Sequence, residues 1–257
     1  MILDQGLGLD GMQVGGAYSA NPLSCCALYW NPAALRDLKS NEVYFSDSKY
    51  FNDLNNRTFV AARNINENMA VAIGYLGLMV SDISYRDNSG QSLGSNITYS
   101  NEVFILGLGC RLSQSSNWGV SYKYFKQNAL EEKWAQSLDL AYKMKFGSQA
   151  HFGLVAENLA YQGEDIYPKY RAGLEQDMGK VNLSLDILYD SLFKKTFYNY
   201  GFAYSGLAPL EIKGGVNGYL ENYFLGISLK FEGVRLDYMF CNPELGMVHR
   251  FGLGINF

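Results

Sequence analysis

Strict alternation of apolar and polar side chains is the feature that most limits how this chain can fold. Over residues 137–146, Leu138, Leu140, Tyr142, Met144 and Phe146 fall on one face, and Ser137, Asp139, Ala141, Lys143 and Lys145 on the other. Successive side chains point to opposite sides in an extended strand, whereas a helix would scatter them round its axis. The rhythm returns in Val181, Leu183, Leu185, Ile187 and Tyr189 against Asn182, Ser184, Asp186 and Asp190. It returns again in Tyr223, Leu225, Ile227, Leu229 and Phe231 against Gly226, Ser228 and Lys230. Beyond residue 40 the pattern predicts about fourteen strands. Their spans are 42–48, 57–65, 68–84, 98–112, 117–127, 135–146, 149–160, 167–178, 180–190, 196–206, 208–218, 222–232, 233–241 and 246–257. Gly147-Ser148, Gly179-Lys180 and Glu232-Gly233 suit tight hairpins, while 86–96 and 162–165 read as longer polar connections. Short turns at one end and longer loops at the other describe an all-β, up-and-down antiparallel meander.

Strand length and facial contrast select the environment. Strands of about ten residues with one continuous apolar face match a tilted strand crossing a bilayer, and exceed the usual length in a soluble sandwich. The apolar faces carry Tyr, Phe and Trp near strand ends, as interfacial girdles do. The opposite faces are small and polar. The longest apolar-looking run, 69–80, has 12 residues and two glycines, too short for a membrane helix of about 20. The mean hydropathy of −0.12 is compatible with a membrane barrel, because only half of each strand faces lipid. The expected fold is therefore an antiparallel transmembrane β-barrel of about fourteen strands. A soluble barrel or sandwich is the remaining reading. Phe257 ends the last alternating strand and resembles the carboxy-terminal signal by which bacterial outer-membrane barrels are recognised for insertion. No basic, apolar leader follows Met1. For a bacterial outer-membrane protein the expectation is a leader removed or not included.

Residues 1–40 differ in texture and form the second unit, with 41–257 as the barrel. The segment carries Gly6, Gly8, Gly11, Gly15 and Gly16, then Tyr29-Trp30-Asn31-Pro32-Ala33-Ala34-Leu35. Asn31 as cap and Pro32 at the first helical position predict a short helical turn over 32–38. Fourteen strands enclose more space than their own side chains fill, and a Gly-rich segment of this kind can pack within the lumen.

No catalytic constellation is visible. His151 and His249 are the two histidines, and neither lies in a triad-type or metal-type motif. Cys25, Cys26, Cys110 and Cys241 lack metal spacing, and no cofactor is implied. Gly6-Leu7-Gly8-Leu9-Asp10-Gly11 matches GxGxxG but follows no strand, so it carries no nucleotide signal. A sequence pI near 5.3 without a basic run argues against nucleic acid as a partner. Charges on lumen faces are the candidate polar groups: Arg171 and Glu175, Arg235 and Asp237, and Arg250. They pair across strands and hold the segment, or an arginine among them takes a ligand's carboxylate or head group. The strands at 69–80 and 98–112 are apolar on both faces, which fits packing against the amino-terminal segment or a path for a hydrophobic ligand.

Two stretches carry a family resemblance. Gly11-Met12-Gln13-Val14-Gly15-Gly16-Ala17-Tyr18, followed by Tyr29-Trp30-Asn31-Pro32-Ala33-Ala34-Leu35, resembles the amino-terminal region of the PorV/PorQ family, which is related to the FadL long-chain fatty-acid transporters. Leu236-Asp237-Tyr238, and then Gly246-Met247-Val248-His249-Arg250-Phe251 to Phe257, is similar to the family's closing pair of strands. The resemblance implies a fourteen-stranded barrel in outer-membrane lipid with residues 1–40 as a hatch, and Gly15, Gly16, Asn31, Pro32 and Ala33 as its motif. It implies one of two tasks. The first is passage of a fatty acid or other lipophilic ligand through the lumen. The second is a role in type IX secretion, binding secretion-system proteins and their cargo.

Overall fold

The computed structural model describes residues 6–50, 54–86, 89–129, 131–163, 166–242 and 247–257. The chain begins with three short helical pieces, α1 (Asp10–Gln13), α2 (Ala27–Trp30) and a 3₁₀ turn, Pro32–Asp37. The first strands are β1 (Glu42–Tyr50), β2 (Leu54–Asn66), β3 (Met69–Arg86), β4 (Ser92–Arg111) and β5 (Ser116–Asn128). Then come β6 (Glu132–Phe146), β7 (Ala150–Glu157), β8 (Gln162–Gly163), β9 (Lys169–Asp177) and β10 (Val181–Asp190). The last are β11 (Lys195–Leu207), β12 (Leu210–Asn217), β13 (Asn222–Phe231), β14 (Val234–Cys241) and β15 (Val248–Asn256). Each long strand pairs antiparallel with its sequence neighbour, β1 pairs with β15, and β5 with β6, so fourteen strands close a ring. The two-residue β8 adds to the edge of β6.

The strand pattern follows the alternation, with two differences. The β3–β4 hairpin is longer than the apolar pattern predicts, with Ile83 opposite Ile97, Ser84 opposite Asn96 and Arg86 opposite Ser92. Backbone pairing does not need apolar side chains, so it continues past the point where the alternation fades. The connection expected at 162–165 contributes β8, where Gly163 pairs with Ala135; Glu164 and Asp165 lie outside the described residues, as do Asp87 and Asn88 of the expected turn at 86–96.

Burial is inverted relative to a water-soluble protein. On β6, Leu140 is 52% exposed while its neighbour Asp139 is fully buried. Exposed Phe104 and Leu106 on β4, Leu174 on β9, Tyr200 on β11 and Leu225 on β13 face outward in the same way. A ring of apolar side chains outside and buried charges inside is the arrangement lipid demands. The closed ring replaces the sandwich alternative, and among the described residues no helix is long and apolar enough to cross a membrane.

The main buried cluster joins the amino-terminal residues Leu7, Leu9, Cys25, Cys26, Leu28, Trp30 and Leu35 to the inward side chains of β1–β5, including Val60, Leu76, Val103 and Ile105. Asn31 caps the 3₁₀ turn as expected. Its side chain accepts from the Ala33 N–H, with Pro32 in the first helical position.

Candidate functional site in the barrel interior

The amino-terminal residues meet the inner wall at a band of glycines. Gly109 and Gly119 are directly paired between β4 and β5, Gly153 and Gly173 between β7 and β9, and Gly201 and Gly215 between β11 and β12. A side chain on any of these would run into the segment: Pro32 and Leu35 at Gly109, Ala33 at Gly119, Ser19 at Gly153 and Gly173, Val14 at Gly201 and Gly215. Glycine weakens a strand interior, and its recurrence there marks close approach of another backbone. This band was missed in the sequence, where the inward glycines read as part of a generally small lumen face. The usable signal was the recurrence of glycine mid-strand in otherwise strong β patterns.

Directional contacts fix the segment on one side. The Gln13 side-chain amide donates to the Ile227 and Tyr238 carbonyls at 3.3 and 3.1 Å. Asn217 donates to the Gly15 carbonyl at 2.9 Å, and Arg171 to the Gly16 carbonyl at 3.1 Å. The Ser19 N–H donates to Asp186 at 3.1 Å. Gly15 and Gly16 sit at φ +68° and +80°, a left-handed turn that only glycine adopts without strain. It aims both carbonyls at the wall. Asn31 donates to the Ser19 and Tyr142 carbonyls at 2.7 and 3.2 Å while capping Ala33. Ala33 itself packs on Ala141 and Val155.

The lumen charges sort into ion-pair groups. Arg235 reaches Asp10 at 2.9 Å, Asp237 at 3.1 Å and Glu42 at 3.3 Å, and lies 5.0 Å from the Tyr44 ring centre. Lys213 reaches Asp10 at 3.2 Å and Glu211 at 3.3 Å. Burial alone would raise the Asp10 carboxyl, but the Arg235 and Lys213 charges outweigh it and hold it well below the usual carboxylate range. Arg171 pairs with Glu157 at 3.1 Å and stands 5.3 Å over the Trp30 ring. Glu175 accepts from Asn21 at 2.7 Å. Arg250 is buried on β15, far in sequence and register from Arg171. Thus Arg235 and Asp237 come together, Arg171 and Glu175 have other partners, and Arg250 lies opposite Met239 in register. Both Arg171 and Arg235 already hold carboxylates of the chain itself. Phe257 is 71% exposed beyond the end of β15, with its N–H donating to Asn41.

The opposite side is hydrocarbon. Leu28 lies over Gly74 of β3 and Gly107 of β4, with Leu7 beside it over Gly74 and Leu35 over Gly109. Leu76, Val103 and Ile105 complete that wall. Two polar cavities of about 230 and 340 Å³ flank Asn21 and Leu23 at the short-turn end. An outward groove of about 370 Å³ runs between Phe45 and Leu229 on the lipid side.

No protein-family model matches the chain, and no curated protein matches it by sequence. Solved structures do match. The CymD monoaromatic hydrocarbon channel superposes with a TM-score of 0.74 at 9% identity, over 98% of each chain. The Pseudomonas putida toluene transporter TodX gives 0.70 at 10% identity, over 98% of this chain and 99% of that one. A Pseudomonas aeruginosa FadL homologue gives 0.67 at 8% identity, over 98% of each. The chain therefore shares the closed fourteen-stranded barrel fold of FadL-type channels. At such identities the likeness is one of fold, and the PorV/PorQ resemblance stands on its sequence motifs alone.

Proposed function

We propose that the protein is a bacterial outer-membrane channel, not an enzyme, that passes a hydrophobic small molecule through its lumen, with residues 1–40 serving as a hatch. The observation that carries this reading is the apolar inner wall of β3 and β4, where Leu76, Val103 and Ile105 face Leu7 and Leu28. A water-filled pore has no use for such a face; a lipophile gains about 25 cal/mol for each Å² of apolar surface it buries there. Monoaromatic hydrocarbons, which the names of CymD and TodX carry, and fatty acids, which the sequence resemblance implies, are the ligand classes to try first. The type IX secretion reading rests on the motif resemblance alone.

The test is uptake of radiolabelled toluene and of a long-chain fatty acid by cells that carry the protein and lack other channels of this fold. Uptake above that of empty cells, abolished by Leu76→Asp in a variant that still inserts, supports the reading. Uptake equal to that of empty cells for both ligands removes it.

A further inference from the structure

At the short-turn end of β4–β7 lies a cavity of about 340 Å³ whose lining departs from the rest of the lumen. Several inward cations elsewhere are matched by carboxylates, as with Lys123 and Asp139, Arg171 and Glu157, or Lys213 and Asp10. Here Arg111, Lys143, Lys145 and His151 face Asp37. That carboxylate is already taken: Lys143 reaches it at 2.8 Å, and Asn117 donates to its other oxygen at 2.8 Å. Lys143 is further tied to Asn21 at 2.6 Å. Arg111 and Lys145 form no ion pair among the described residues, and the His151 Nδ1 is buried without a hydrogen-bond partner.

The framework places these groups together. Arg111 is opposite Asn117, Asn117 opposite Lys143, and Lys145 opposite His151, all on the inward parity of adjacent strands, with Asn117 and Lys143 buried and Arg111 and Lys145 exposed at the rim. The Lys145 N–H donates to the Ser115 carbonyl at 2.8 Å, which draws the end of β6 onto the β4–β5 turn that Arg111 begins. The excess of positive charge is confined to the cavity lining: Glu175 stands opposite His151 on β9, tied to Asn21, and the whole chain carries a formal charge of −4. A concentrated cluster of donors and cations in a cavity is the chemistry of oxyanion recognition. The Arg guanidinium offers a planar fork, Lys a compact charge and His a third donor.

We propose that this cavity binds a small oxyanion, a carboxylate or phosphate group, held by Arg111, Lys145 and His151 with Lys143 and Asp37 as their fixed support. The site does not rest on the transport reading, because none of its residues lies on the apolar wall. The anion comes free from the aqueous side or as the headgroup of a lipid reaching the rim, and the test separates the two.

The full chain in neutral detergent is titrated with inorganic phosphate by calorimetry. In parallel, the chain in phosphatidylcholine nanodiscs with and without phosphatidic acid is followed by phosphorus NMR of the headgroup. The same measurements are made on Arg111→Gln/Lys145→Gln and on His151→Ala, with melting temperature as the check of folding. Phosphate binding weakened at least about tenfold by the double substitution, and less by His151→Ala, supports a free-anion site. A phosphatidate signal that is perturbed by the wild type and not by the double variant, without binding of free phosphate, supports the headgroup source. Absence of both effects, or binding that survives the double substitution in the folded variant, overturns the proposal.

Discussion

On β3 and β4 the amino-terminal segment meets the barrel through hydrocarbon, with Leu28 over Gly74 and Gly107 and Leu35 over Gly109. On β9–β13 it meets the barrel through Asn217, Arg171, Asp186 and the carbonyl of Ile227, each an oriented hydrogen bond. The two sides do different work. Hydrogen bonds have angles and fixed partners, and a buried partner left alone costs about 1–3 kcal/mol. That side therefore fixes where the segment sits. Dispersion contacts have no direction, and a lipophile entering beside Leu28 replaces one hydrocarbon neighbour with another. The polar side is an anchor, and under the proposed function the apolar side is the surface a ligand competes for.

The contrast can be broken from either side. Arg235→Ala has the largest expected effect. It leaves Asp10, Glu42 and Asp237 without their guanidinium, and removing one member of a buried ion group costs about 4 kcal/mol. Thermal unfolding in detergent would show it, accompanied by protease cleavage within residues 6–40. Leu28→Ala removes aliphatic bulk over two wall glycines and is expected to cost about 3 kcal/mol. It differs from the first in function: lipophile uptake is retained or raised, because the hydrogen-bonded side is intact. Asn31→Ala removes the cap on Ala33 and the bonds to the Ser19 and Tyr142 carbonyls, for about 2 kcal/mol. Hydrogen exchange at Ala33 and Ala34 should rise ahead of the barrel strands. The smallest effect is expected of Trp30→Phe, which loses the indole bond to the Leu7 carbonyl and part of the stacking under Arg171. This amounts to about 1 kcal/mol, measured as a small fall in melting temperature.

The sequence made the barrel legible because each strand repeats the same two-residue rhythm, as Leu138 to Phe146 show. The capped turn at Asn31-Pro32 was equally local and appears as expected. The candidate site was readable only in part. Arg235 and Asp237 lie two residues apart on one strand face, so their meeting follows from local geometry. Their third partner, Asp10, comes from the other end of the chain, and no periodicity carries that distance. The glycine band was hidden for a related reason. Gly153 and Gly173 look like small residues until the backbone of Ser19 is seen against them. The pairing of Lys143 with Asp37 also needed the closed ring, and without it the surplus of charge at Arg111 and Lys145 could not be recognised.

The central claim is that a lipophile passes between the segment and its apolar wall. Two single substitutions test it, one on each wall, compared in barrels that insert and stay folded. Ile105 is 1% exposed on the apolar wall, and Asn217 donates to the Gly15 carbonyl at 2.9 Å on the polar wall. Ile105→Asp puts a charge on the apolar wall, where it has no partner; Asn217→Ala cuts one anchoring bond on the polar wall. Lipophile uptake is predicted to fall to background with Ile105→Asp and to persist with Asn217→Ala. Full uptake through a folded Ile105→Asp barrel would contradict the account.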